Sequence, residues 1–197
     1  MTALEKEAFM LAAGWMQEAG MKTHIDHFGN LVGSLEGGIP ALPVLMMGSH
    51  LDSQPYGGRF DGVAGVLCAI EAVKALKEQG LQPERSIEVV SFADEEGWRF
   101  TKGLFGSRGI LGKLEPGELQ RKDKDGITRE QALIDFGCDP KKFSESAYKP
   151  GSIHCFLELH IEQGPVLDLA NKPIGVVSGI SGPLWLTVKL KGMAGHT

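Results

Sequence analysis

The sequence lacks the features of a membrane protein, a disulfide-stapled domain or a nucleic-acid-binding protein. Its apolar runs are broken by glycine or charge, well short of the roughly 20 residues that cross a bilayer. The N-terminus has neither the basic start nor the apolar block of a secretion signal. A formal net charge of −5 argues against a nucleic-acid partner. We therefore expect no membrane and no nucleic acid among the partners.

Cysteine is also scarce. The 197 residues include 3 cysteines, Cys68, Cys138 and Cys155, and no two of them form a CxxC pair. This pattern is typical of reduced core thiols rather than a disulfide framework. Cys68 lies in an apolar helical pattern, which predicts a thiol in the core. The sequence thus favours a cytoplasmic location.

Helix and strand signals alternate along the chain. Apolar residues recur at helical spacing over 3–19 and 63–79, each followed by glycine. Thr128 and Gln131 have capping-box spacing before a third apolar run that ends at Gly137. Short apolar or β-branched runs predict strands at 43–47, 86–92, 155–159 and 174–177. This alternation indicates an α/β layer fold.

The last part of the chain has a different pattern. Apolar and polar residues alternate over 184–190, which predicts a strand with one dry face, as in an antiparallel sheet. A Ser-Gly-Pro stretch at 181–183 precedes it. We therefore predict one domain over 1–181 and the start of another over 182–197.

Side chains able to bind metal follow three of the predicted strands. His50 and Asp52 follow the first, Glu95 and Glu96 the second, and His160 the third. In open α/β sheets the ligand crevice lies beyond the carboxyl ends of the strands, so these segments are expected to meet at one edge. A Gly-rich loop at 56–62 can bring Asp61 to the same crevice.

The spacing within these segments favours a metal site. In extended backbone His50 and Asp52 project to the same side, so the Asp52 carboxylate can accept the second ring N–H of His50. Adjacent Glu95 and Glu96 can divide metal binding and proton transfer, and a dinuclear cation site would relieve their repulsion. Each feature alone also has an ordinary explanation: an incidental HxD, a solvated glutamate pair or a turn aspartate.

Five motifs then appear in order: GSHLDS at 48–53, GGRFDGV at 57–63, EEGWRF at 95–100, ELHIEQGP at 158–165 and GMAGH at 192–196. Together they resemble the hydantoinase/carbamoylase-type amidases of the M20 metallopeptidase-like family. The resemblance implies a partial, doubly wound α/β catalytic domain of the M20 type, followed by the first strand of an α+β lid and dimerisation domain.

The resemblance also implies a metal centre. Asp61 would bridge two divalent ions, His50 and His160 would complete the ligands of one ion, and Glu96 would bind the other. The ions would be Zn²⁺ or Mn²⁺, with Co²⁺ or Ni²⁺ as alternatives, because mixed imidazole and carboxylate ligands suit several metals.

The implied catalytic roles follow the same motifs. Glu95 would be the general base and Asp52 the partner of His50. Gln163 would help to hold the substrate. His196, carried on the lid of a homodimer, would reach the substrate's carbonyl group.

The implied reaction is hydrolysis of the ureido C–N bond of an N-carbamoyl-L-amino acid or N-carbamoyl-β-alanine to the amino acid, ammonia and carbon dioxide. An allantoate amidohydrolase and an M20 dipeptidase are alternatives. Members of the family are considerably longer, and a further ligand histidine and most of the lid would lie beyond Thr197. The chain is therefore expected to be an amino-terminal piece, and a catalytically incompetent fragment is the alternative from another class.

Overall fold

The computed structural model describes residues 1–182, 186, 188–193, 195 and 196. The chain divides into two compact units, Met1–Ile161 and Glu162–Thr197. The first unit contains five strands: β1 (Lys22–Ile25), β2 (Leu31–Leu35), β3 (Val44–His50), β4 (Ile87–Phe92) and β5 (Ile153–Leu157). They form one mixed sheet in the order β1-β2-β4-β3-β5. β3 is parallel to β4 and β5, whereas β2 is antiparallel to β1 and β4.

Two long helices build the core of the first unit against this sheet. α1 (Ala3–Glu18) packs on β1 and β2, and α2 (Val63–Glu78) packs on β3 and β4. The shorter helices are α3 (Phe105–Ile110), α4 (Arg129–Phe136) and α5 (Phe143–Ser146), and α6 (Val166–Leu169) lies in the second unit. Fully buried Phe9, Met16, Val66, Val73 and Val89 belong to the core. Each helix of the described residues is too short or too polar to cross a bilayer.

The predicted α/β class is confirmed, and the long helices begin and end within a residue or two of the predicted bounds. Strands β3, β4 and β5 lie where apolar runs predicted them. The predicted cap of α4 is also present, because the Thr128 hydroxyl accepts the backbone N–H of Gln131 at 3.1 Å. Periodicity and capping residues therefore determine most of these elements locally.

The sequence patterns missed one pair of strands and predicted one strand wrongly. β1 and β2 are short, and Gly33 lies in the middle of β2, where a Cβ would be 2.7 Å from Met16 Sδ of α1. Residues 174–177 form no strand and are exposed, since a β-branched run alone does not supply a pairing partner. Of the predicted strand at 184–190, residues 184, 185 and 187 lie outside the described residues, and the other four are not in a strand. The domain boundary at 181/182 stays a prediction. The two compact units divide at a different place, after Ile161.

The interpretation of Cys68 as a core thiol is wrong, because Cys68 is exposed on α2. Its position in the helix lies outside the apolar stripe that faces the sheet. Cys138 is buried and Cys155 is half-buried, and all three thiols are free. Burial raises the pKa of the Cys138 thiol to about 11, which makes it a packing residue rather than a nucleophile.

The close packing of α2 predicts a stability effect at Gly65. A Cβ at Gly65 would lie 2.4 Å from the Leu159 carbonyl oxygen and 2.8 Å from Ser49 Cβ, whereas a Cβ at Gly14 of α1 meets nothing within 4 Å. We expect Gly65→Ala to lower the free energy of unfolding by about 1–3 kcal/mol. The matched control Gly14→Ala should raise it by up to about 1 kcal/mol, through helix propensity. Urea unfolding measures both, and an unchanged or more stable Gly65→Ala variant would contradict this packing.

Candidate metal centre

The site lies at the edge of the sheet where the parallel strands end. His50 is the last residue of β3, opposite Phe92 at the end of β4 in the parallel register. Glu95 and Glu96 follow β4, and His160 follows β5. Asp61 precedes α2, whose first residue is Val63. The predicted convergence of separate segments at one edge is therefore present.

Three of the predicted ligands come together. One ligand atom from each of His50, Asp61 and His160 lies within 4.8 Å of the other two. The His160 Nε2 atom is 3.5 Å from Asp61 Oδ1, and the two imidazole centroids are 5.9 Å apart. His50 is buried, Asp61 half-buried and His160 exposed. Two imidazole nitrogens and one carboxylate form a donor set that suits a divalent transition-metal ion.

Backbone carbonyls set the tautomers of both histidines. His50 Nδ1 lies 2.9 Å from the carbonyl oxygen of Asp52, and His160 Nδ1 lies 2.9 Å from the carbonyl oxygen of Ile161. Because a carbonyl oxygen only accepts, each Nδ1 carries the proton in these contacts. When the rings are neutral, each Nε2 atom then keeps its lone pair. The backbone nitrogen of Gly62 lies 3.4 Å from the Nε2 atom of His160. In this neutral form each ring can bind a metal ion through Nε2, and at His50, whose pKa is raised to about 9, metal binding displaces the Nε2 proton.

The Asp52 side chain lies beside His50, and its role as the partner of His50 stays a prediction. The Asp52 carboxylate Oδ1 is 3.5 Å from His50 Nδ1, farther than the backbone oxygen that accepts the ring proton. Its Oδ2 instead accepts the backbone N–H of Glu96 at 3.0 Å. Asp52 therefore adjoins His50 as predicted, but its side chain connects β3 to the turn after β4.

The two glutamates lie in different surroundings. Glu95 Oε2 is 3.5 Å from His50 Nε2. The Glu96 carboxylate accepts the side-chain N–H of Gln54 at 2.7 Å and does not belong to the group formed by His50, Asp61 and His160. The structure thus brings Glu95 to a predicted ligand, and it leaves Glu96 outside the three-residue group among the described residues.

Electrostatics favour positive charge at this edge. Burial lowers the pKa of His50, but the Asp52 hydrogen bond and the charges of Glu95 and Asp52 outweigh it and raise the pKa to about 9. Burial raises the pKa of Glu95, and the His50 imidazole opposes the shift. A carboxyl group with a raised pKa is better suited to accept and return a proton near neutral pH than an ordinary surface glutamate.

The start of α2 requires a glycine beside the site. Gly62 has φ +57°, and a Cβ there would lie 2.4 Å from His50 Cγ. The absence of a side chain at this position lets the backbone pass close to the His50 imidazole. Asp61 can therefore lie beside His50 and His160. The GGRFDGV motif therefore supplies a ligand and the space that the ligand needs.

Sequence reasoning missed two residues that contact the site. Gln54 holds Glu96, as described above, and Glu158 accepts the hydroxyl of buried Ser49 at 2.5 Å. Glu158 also adds to the negative charge that raises the pKa of Glu95. Glu158 directly follows β5 and lies two positions before His160, and this place at a strand end was the available signal.

Two predicted residues lie in the second compact unit. Gln163 has a left-handed backbone, with φ +56°, and His196 is exposed. Both are part of the unit Glu162–Thr197. Their assignment to the substrate therefore stays a prediction.

The fold and the donor set define an α/β protein with a candidate metal centre at the sheet edge. A family model described as peptidase family M20/M25/M40 matches residues 46–195. The chain therefore belongs to this family, and the predicted resemblance is confirmed.

Two relatives show which members of the family this chain resembles. An N-carbamoyl-L-amino-acid amidohydrolase of Pseudomonas sp. (strain NS671) is 52% identical over 194 residues, which cover 98% of this chain and 47% of the relative. An allantoate deiminase of Arabidopsis thaliana is 39% identical over 193 residues, covering 96% of this chain and 37% of the relative. The chain spans about half the length, or less, of these relatives.

A solved structure agrees with both matches. A hydantoinase/carbamoylase family amidase from Burkholderia ambifaria superposes with a TM-score of 0.77 at 38% identity, covering 86% of this chain and 41% of that chain. The matched 86% of this chain therefore has the fold of the corresponding part of that amidase.

Proposed function

We propose that the complete protein carrying this chain is a dinuclear-metal amidohydrolase that cleaves the ureido C–N bond of N-carbamoyl-L-amino acids. The observation that carries the proposal is the group of His50, Asp61 and His160, whose ligand atoms lie within 4.8 Å of one another. The 52% identity to an N-carbamoyl-L-amino-acid amidohydrolase supports the substrate class. Zn²⁺ or Mn²⁺ fits the donors.

His50, Asp61 and His160 would hold one ion, with Asp61 shared and Glu96 serving the second. When bound, two divalent ions supply a water of lowered pKa and a Lewis acid for the substrate carbonyl. Glu95 takes the proton of the attacking water and delivers it to the nitrogen of the leaving amino acid. Such proton transfer is typically worth about 10²–10⁴-fold in rate.

Gln163 is proposed to hold the substrate, and His196 to stabilise the developing oxyanion, which carries its charge only near the transition state. The N-carbamoyl group leaves as a carbamate that decomposes to ammonia and carbon dioxide. In the proposed division, residues 1–181 belong to the catalytic domain and 182–197 begin the lid of a homodimer.

A metal analysis combined with a substrate panel tests the proposal. We expect the complete gene product to contain divalent metal and to release ammonia from N-carbamoyl-L-amino acids. A chelator should abolish turnover, and Zn²⁺ or Mn²⁺ should restore it. Preference for allantoate would favour the second candidate, for which the allantoate deiminase relative argues. Turnover of dipeptides alone would contradict both.

The isolated 197-residue chain tests the alternative that this chain is a catalytically incompetent fragment. We expect it to bind metal at His50, Asp61 and His160 but to be inactive by itself. Turnover by this chain at the rate of the complete gene product would contradict that expectation.

A further inference from the structure

A buried arginine lies behind the turn that carries the two glutamates. Arg129, the first residue of α4, is wholly buried. Its Nη2 donates to Asp94 Oδ2 at 2.8 Å and to the Lys102 carbonyl oxygen at 2.8 Å. Its guanidinium also lies 4.4 Å from the centroid of the Phe105 ring. Asp94 immediately precedes Glu95, so the arginine holds the neighbour of the proposed base.

The same arginine begins a chain of charges that returns to the turn. Arg129 Nη1 donates to Glu118, which is also buried. Glu118 accepts a second hydrogen bond from Arg108 Nη1 at 2.6 Å. Arg108 in turn donates to the carbonyl oxygen of Gly103 through Nη2 at 3.1 Å. The network therefore runs from Asp94 to the segment 103–106.

That segment is hydrogen-bonded to the turn itself. The backbone N–H of Leu104 donates to the Glu95 carbonyl oxygen at 2.7 Å, and the N–H of Gly106 donates to the Ala93 carbonyl oxygen at 2.9 Å. Asp94 between them has φ +49°, a left-handed conformation that non-glycine residues adopt only when their surroundings enforce it. Both flanks of Glu95 are thus fixed by one network.

We propose that Arg129 is a positioning residue for the proposed base, holding the Glu95 backbone through Asp94 on one side and through Glu118, Arg108 and Gly103 on the other. The inference rests on the proposed function, because it requires Glu95 to move the proton of the attacking water. A planar guanidinium suits this task, since its fork of donors binds several acceptors at once in fixed directions.

A purely structural role is the competing explanation. Buried ion pairs are weak stabilisers, but removing one partner leaves an uncompensated buried charge and destabilises the fold. A loss of activity in an Arg129 variant would therefore mean little without a second readout. Separate measurement of kcat and KM supplies this second readout. Misplacing a base lowers kcat in correctly folded, metal-loaded protein.

Arg129→Lys in the complete gene product, compared with Arg99→Lys, tests the inference. Lysine keeps the charge but loses the fork. Arg99 is a matched control, because its guanidinium also lies on the Phe100 ring (5.1 Å, against 5.0 Å for Arg129) while it pairs with Asp123.

Kinetics with an N-carbamoyl-L-amino acid are normalised to metal content. We expect Arg129→Lys to lower kcat by about 10–100-fold, with metal content unchanged and KM within about twofold. Arg99→Lys should retain kcat.

Each outcome decides a separate question. Absence of turnover in the wild-type protein would contradict the proposed function and the inference with it. An active wild-type protein with equal kcat in Arg129→Lys would contradict the inference alone, as would an equal loss in Arg99→Lys. If Arg129→Lys does not fold, Glu118→Gln decides, because Arg108 and Arg129 bind different oxygens of Glu118 and the amide replaces one of these acceptors with a donor. A lowered kcat with unchanged KM supports the inference, and an unchanged kcat overturns it.

Discussion

Replacing Glu95 by glutamine in the complete gene product is expected to reduce kcat by at least about 10²-fold while leaving the metal content unchanged. Glutamine fills the same space but cannot accept the proton of the attacking water. The pKa of Glu95, raised mainly by burial, suits this carboxylate to accept and return a proton near neutral pH. Metal analysis and initial rates on an N-carbamoyl-L-amino acid, measured on the same preparation, check the result.

Glu96→Gln is the matched control for this prediction. The two residues are adjacent, but Glu96 binds Gln54 at 2.7 Å whereas Glu95 faces His50 at 3.5 Å. We expect Glu96→Gln to lower the metal content, because an amide is a poorer ligand than a carboxylate. The reverse pattern, with metal lost on changing Glu95 and kept on changing Glu96, would exchange the two assigned roles.

The second large effect is expected at His160. Its Nε2 faces Asp61 at 3.5 Å, so His160→Ala removes one of the three donors around the proposed ion. We expect metal affinity to fall by more than about 100-fold, since loss of a ligand should cost more than loss of the groups that orient ligands. Titration of the chelator-treated 197-residue chain with Zn²⁺, followed by calorimetry, measures the change without any assay of turnover.

His154→Ala provides the matched control on the same segment. His154 lies on β5, six positions before His160 (160 − 154), and is exposed. It is not part of the metal group, so its removal should leave affinity and stoichiometry unchanged. Equal losses in the two variants would mean that general disturbance of β5, rather than a missing ligand, weakens binding.

Sequence reasoning located the candidate metal centre because the topology rule is simple. Parallel strands end at one edge of the sheet, so polar residues after β3, β4 and β5 had to be neighbours. His50, Glu95 and His160 were found in this way. Asp61 was found because glycines on both sides marked a loop able to approach the imidazole.

The remaining contacts depend on conformation that no local pattern encodes. The acceptor for the His50 ring is a backbone oxygen, and choosing it over the Asp52 carboxylate requires the backbone angles of the turn. The hydrogen-bond partners of Arg129 lie 11, 27 and 35 residues away in the chain, so its sequence neighbourhood carries no sign of them. The β1–β2 pair escaped notice because each strand is short and Gly33 weakens the second.

The use of main-chain oxygens to fix both imidazole rings has a consequence for variation at the neighbouring positions. Every amino acid contributes the same carbonyl, so the residue at 161 can change without altering which nitrogen of His160 is protonated. Position 52 is more constrained, because the Asp52 side chain also accepts the Glu96 N–H. Mutational drift or directed evolution can therefore sample new side chains at position 161 while the His160 lone pair stays in place. Loop insertions that rotate these peptide groups are the changes that such a site would not tolerate.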